Sequence, residues 1–373
     1  MLVEMAILCV APRGNITLLF IIFLINRVLS GLAEAAASGA DEAIAYDALQ
    51  AEGMADQWGR VLDVQMRLRS VMFILTMTVG AAVYDPDLMT RIAAALGSDL
   101  QFSQAQTLRF PLYLTFILAL LTLSAVLRLD EICPNPNADG TCEKPFSGSA
   151  MDALKLTLET GGWILKTPFV LAVILFGMLF DGILRMVITL ASQYYRMVQL
   201  PESLFGILGS VVAVMGLFIP KLSLWIAENR SPAFCLWVTA VTALAGLAGM
   251  TFFWPYTGLV PSLVAFSALY MVGFYLSYFV NQKAPSSRRA TVLSFKGLAY
   301  NLSYGLIGIV YAGVLEAQKR AVDTASIDAQ AMENIVFKET FFWFPLALAA
   351  GLALMMVGVL VFQARRHSSK FEI

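Results

Sequence analysis

Histidine is almost absent from this chain: His367, close to the C-terminal end, is the single one. General-base catalysis by imidazole and His-based metal ligation therefore lack their raw material. The cysteines, Cys9, Cys133, Cys142 and Cys235, form no CxxC, which removes the thiolate clusters of structural zinc sites. The stretch NPNADG opens like a calcium-binding loop, but Phe146 stands where the bidentate Glu is needed. Neither an enzyme nor a bound cofactor is expected. Charge is scarce as well, at 14% of positions with a formal net charge of −1, and the Lys and Arg residues are scattered singly. That pattern lacks the basic face a nucleic-acid partner requires. A basic n-region is missing ahead of the short apolar run Met5 to Val10, and Pro12 and Arg13 interrupt it, so no signal peptide is read there.

Apolar residues are what the chain has, 59% of its 373 positions, with a mean hydropathy of +0.74. One water-soluble core cannot use so much, and the solvent for most of the surface is expected to be lipid. A spanning helix needs about 20 mostly apolar residues. About nine segments qualify: 15–45, 60–84, 109–128, 167–195, 203–227, 234–254, 259–282, 290–315 and 340–364. Helix breakers fall between them at Asp85-Pro86, Leu200-Pro201, Ser231-Pro232, Trp254-Pro255 and Ala284-Pro285. The polar interval 129–163 separates three spans from six, and Met151, Leu154, Leu158 and Trp163 predict an amphipathic surface helix at its end. The expected fold is an all-α polytopic membrane protein of two helical bundles: 1–128, a linker over 129–163, and 164–373.

Basic residues set the expected orientation. If the segment after the first span is cytosolic, that side collects Arg60, Arg67, Arg69, Arg288, Arg289 and most of the others, including Arg365 and Arg366. The C-terminus is then inside, Cys133 and Cys142 face a reducing compartment, and no disulfide between them is expected.

Ionisable groups in mid-membrane are costly and survive mainly where they face a wet cavity or one another. Two places stand out. In the first span Arg27, Gly31, Glu34, Ser38 and Asp41 recur at helical spacing as one polar stripe. In the fourth, Asp181 and Arg185 stand one turn apart near the middle, with Thr189, Ser192 and Arg196 continuing the face. A purely structural ion pair is the competing reading of both. The seventh span adds Tyr278 and Asn281 as candidate pathway residues, although aromatics at helical spacing also serve as plain packing.

The run INRVLSGLAEAAASGADEAIAYDAL followed by WGRVLDVQ resembles helices four and five of the major facilitator superfamily, with Arg27 and Gly31 matching its arginine-and-glycine motif. ASQYYRMVQLPESLFGIL is similar to the family's seventh-to-eighth helix junction, and KAPSSRRATVLSFKG to the loop between its helices ten and eleven. The resemblance implies that the first span here corresponds to the fourth of twelve and EMAILCVAP to the end of the third, roughly helices one to three being lacking. It departs from many antiporters of the family in having VGAAVY around Gly80 where a Gly-Pro motif is usual.

What the resemblance implies is a secondary active transporter of a small solute, working by alternating access, with proton-coupled efflux as one mode. Glu34 and Asp181 are the candidate proton carriers, and the family's cavity helices correspond to the first, fourth and seventh spans. Asp41, Glu42, Asp47, Arg60 and Arg289 form the expected cytosolic gate. The protein is expected to be a monomer in the inner (plasma) membrane, with the lipid bilayer, a small-molecule substrate and protons as partners. The alternative is a non-transporting truncated paralogue or helical membrane scaffold.

Overall fold

The computed structural model describes residues 2–11, 16–37, 39–128, 150–201, 205–321 and 329–368. Among these the chain is helical throughout, and eight helices are long and apolar enough to cross a membrane, from Ala55–Tyr84 to Ala331–Val359. This composition and length are those of a polytopic membrane protein. The interval 129–149, with Cys133, Cys142 and Phe146, lies outside the described residues, as does Ser38.

The chain divides into two compact units, Met1–Gly53 with Val71–Glu143, and Met54–Ser70 with Lys144–Ile373. The helices run α1 (Leu2–Val10), α2 (Ile16–Ala37), α3 (Ala40–Ala51), α4 (Trp58–Tyr84), α5 (Pro86–Ala95), α6 (Gln104–Thr107) and α7 (Phe110–Val126). The expected single span over 15–45 is therefore two helices. Gly39 adopts φ 80 between α2 and α3, a left-handed turn that ends the first helix. The apolar part of α2, Ile16–Gly31, is shorter than the other spans. Asp85 caps α5, whose first residue is Pro86, its Oδ1 accepting from the amides of Asp87 at 2.9 Å and Leu88 at 3.1 Å.

The second unit continues with α8 (Ala150–Lys166), α9 (Pro168–Thr189), α10 (Ala191–Met197), α11 (Phe205–Asn229) and α12 (Pro232–Met250). It ends with α13 (Leu259–Lys283), α14 (Ser286–Ala321), α15 (Ala329–Phe341) and α16 (Trp343–Ser368). α13 is the hub, packing on α9, α11 and α12, while α14 packs along α9. The segment Met54–Ser70, which holds the first part of α4, groups with this unit.

Small residues allow the helices this proximity, as expected where lipid removes the drive to bury apolar surface. An aromatic cluster closes one end. Tyr194 lies 5.4 Å from Phe253 and 5.5 Å from Phe341 between ring centroids. Its hydroxyl donates to the Gly258 carbonyl at 2.9 Å, and the Tyr256 amide donates to the Val198 carbonyl at 2.8 Å, so the turn between α12 and α13 is stitched to α10. Burial, followed by the neighbouring Tyr195, pushes the Tyr194 phenol well above its usual range, so it stays a neutral donor.

Candidate functional site: an ion pair within the second unit

α9 carries Asp181 about 20 Å along a helix about 33 Å long, near the middle of a spanning segment. Arg185 is one turn further, and its Nη2 lies 2.7 Å from Asp181 Oδ2. The side chains differ in access: Asp181 is 11% exposed and Arg185 37%. α14 completes the arrangement. Arg185 Nη1 donates to Asn301 Oδ1 at 2.9 Å, and the guanidinium carbon sits 5.5 Å from the centre of the Tyr304 ring. The Tyr304 hydroxyl lies 3.1 Å from Thr189 Oγ1, a hydroxyl that also donates to the Arg185 carbonyl at 3.0 Å. One cation is thus held by a carboxylate, an amide oxygen and an aromatic face at once.

Two glycines flanking Asp181 bring the helices together. A Cβ on Gly182 would meet Ile307 Cδ1 at 2.6 Å, and one on Gly177 would strike Leu276 and the Tyr300 hydroxyl. The Ser303 hydroxyl donates to the Met178 carbonyl at 2.6 Å, which fixes the register of α14 on α9. No protein-family model, curated protein or solved structure matches this chain.

A second polar seam lies where the first part of α4 meets α13 and α11. Trp58 is fully buried and its indole N–H donates to the Ser277 carbonyl at 3.4 Å. Beside it, a Cβ on Gly59 would lie 2.8 Å from Tyr278 Cε2, so Tyr278 rests against the α4 backbone. Asn281 is buried one turn beyond, its Nδ2 donating to the Ser277 carbonyl at 2.9 Å. One turn along α4, Asp63 and Arg67 form an ion pair of 2.8 Å with side-chain exposures of 7% and 40%. This is the same buried-acid, half-exposed-arginine geometry as on α9.

Of the other expected residues, Arg289 is buried on α14 and its Nη2 donates to the Ala284 carbonyl at 2.9 Å, where it caps the end of α13. Arg60 is exposed. Arg27 and Asp41 are exposed on α2 and α3, while Glu42 and Asp47 are half-buried. These four belong to the first unit, and the side chain of Glu34 lies outside the described residues. That unit has a cavity of its own, lined by Val10, Ala11, Phe102, Gln106, Arg109, Phe110 and Tyr113. Its arginine turns inward, donating to the carbonyls of Cys9 and Ala11 and so capping α1.

Sequence reasoning missed Asn301, Tyr304 and Asp63. The signal for the first two was NLSYG, an amide and a phenol three apart inside an otherwise apolar span. Asp63 was visible as the acid four residues before Arg67, a spacing that places both on one helix face.

Proposed function

We propose that the chain is a secondary transporter of major-facilitator type that moves a small solute by alternating access, with Asp181 and Arg185 in the solute pathway. The observation that carries this reading is a charged pair held near the middle of an apolar helix with the arginine more than a third exposed. An arginine so placed is tolerated where it faces water and not where it faces hydrocarbon. Its exposed edge continues into Thr189, Asn301 and Tyr304, which together make a polar strip across two spanning helices. The Trp58, Gly59 and Tyr278 seam supports a gate role for the start of α4, and the distribution of basic residues supports a cytosolic C-terminus in the inner membrane.

The test is flux in proteoliposomes with a panel of sugars, drugs and organic acids. The variant carrying Asp181→Asn with Arg185→Gln removes both charges together and is expected to insert in normal amount while losing at least about tenfold in flux. Normal flux in a well-inserted double variant would assign the pair to structure alone, whereas absence of flux in the unaltered protein for every solute of the panel is what the non-transporting scaffold alternative requires. Arg60→Ala separates a second element. An exposed side chain contributes within about 0.5 kcal/mol to stability, so thermal unfolding should not change; a fall in flux at unchanged insertion would place Arg60 in the gate, and unchanged flux would leave it a solvated helix end.

A further inference from the structure

Arg185 and Asp181 present themselves unequally to anything that reaches the site. The acid is the buried member and the arginine the accessible one, at 11% and 37% of side-chain surface. A cationic solute would meet a guanidinium before a carboxylate, whereas an anionic solute would meet the group it can bind. Guanidinium carries five N–H donors in a rigid fork. The contacts to Asp181 and Asn301 engage one Nη each, and the Tyr304 ring covers a face, so the remaining donors are left for a ligand. Asn301 is an amide and adds no charge. The cation is consequently neutralised by one acid.

The groups facing Asp181 are few. Arg185 is the charge that bears on it. From α14 come Tyr300 opposite Gly177, Asn301 on the arginine, Ser303 bonded to the Met178 carbonyl, and Tyr304. α13 offers Leu276 to this stretch, and α16 touches α9 through Gly351 against Leu179. The charges of α13 and α14 lie towards their ends, at Lys283, Arg288, Arg289, Lys296, Glu316, Lys319 and Arg320. Those of the flanking helices are Asp152, whose side chain lies outside the described residues, with Lys155, Glu159 and Lys166 on α8, the last three exposed, Arg196 on α10, and Arg365 and Arg366 in the last turns of α16. Protonation of Asp181 therefore exposes a single unbalanced positive charge, because arginine itself does not release its proton.

We infer that Arg185 is the anion-binding group of this site, that Asp181 occupies it in the absence of solute, and that the solute is a small organic anion whose carboxylate or phosphate replaces a protonated Asp181. The inference rests on the transporter reading above and adds the substrate class. A proton from the water on the open side joins Asp181, the anion binds Arg185, and both leave on the other side. One proton and one monoanion cross together with no net charge moved.

The experiment uses the purified chain in detergent and in vesicles, with lactate and dimethyl phosphate as anionic probes, both monoanions in mildly acidic and mildly alkaline buffer, glucose as neutral and tetraethylammonium as cationic. Lactate, dimethyl phosphate or both should raise the unfolding midpoint, and more in mildly acidic than in mildly alkaline buffer; which one acts tells carboxylate from phosphate. Asp181→Asn, which resembles the protonated acid, should bind the active anion equally in both buffers. Arg185→Lys keeps the charge and the ion pair but loses the fork, and should bind it at least about tenfold more weakly. The inference is overturned by a midpoint that responds to neither anion, by stabilisation from tetraethylammonium or glucose alone, or by wild-type pH dependence in Asp181→Asn. Flux keeps the two readings apart. Vesicles that move glucose or tetraethylammonium retain the transporter and lose the anion site, whereas an anion that stabilises the protein without crossing does the reverse.

Discussion

Arg185→Gln is expected to destabilise the second unit by about 3 to 5 kcal/mol, the usual consequence of leaving one partner of a buried pair alone. The asymmetry in exposure decides which single change hurts. Without Arg185, the carboxylate of Asp181, only 11% exposed, keeps no cation beside it. Asp181→Asn leaves an arginine that is 37% exposed and still holds Asn301 and the Tyr304 ring, so a loss of about 1 to 2 kcal/mol is expected there. The double change should recover most of the Arg185→Gln loss, since neither charge is then stranded. Thermal unfolding of the four proteins in one detergent gives the cycle. Equal losses in the two single variants would mean that both side chains are buried to the same extent in the folded protein.

Gly246→Ala is expected to cost about 2 to 3 kcal/mol despite adding one methyl group. Gly246 lies where α12 crosses α13, and a Cβ there would sit 2.6 Å from the Ala265 Cα and against the Ala265 backbone nitrogen. Backbone cannot rotate away as a side-chain end can, so the two helices have to part along their contact. Gly246→Leu should prevent the unit from assembling. Gly80→Ala is the matched control: nothing lies within 4 Å of the added carbon, and the gain in helix propensity of about 1 kcal/mol sets the sign. Folded yield and the unfolding midpoint of Gly246→Ala report the difference, and equal behaviour of the two alanine variants would contradict the close crossing.

The spanning helices were readable because lipid demands long apolar runs and proline ends them. Ser231-Pro232 does both jobs at the start of α12, where the Ser231 hydroxyl accepts from the Phe234 amide at 3.3 Å. The run 15–45 was misread as one span because Gly39 looks like an ordinary small residue until its backbone angle is known. In the site, the Asp181 and Arg185 pairing was legible, since spacing on one helix fixes it. Asn301 and Tyr304 were not, because their importance depends on which face of α14 meets α9, and that is decided by Gly177 and Gly182 on the opposite helix. Spacing within a helix is a local property, while the partner across a crossing is set by two surfaces together.

α14 is 36 residues long, about 54 Å of continuous helix. The hydrocarbon layer it crosses is about 30 Å thick, so nearly half of the helix stands in the headgroup region or beyond, or the rod leans steeply. Its far end carries Glu316 and Arg320 paired at 3.2 Å and largely solvent-exposed, as suits the part outside. A helix with such an overhang is insensitive to hydrophobic mismatch: a bilayer thicker or thinner by a few ångströms shifts the waterline along α14 without stranding its ends. The shorter α12, 19 residues and about 28 Å, has no such reserve and sets the membrane thickness that this unit suits.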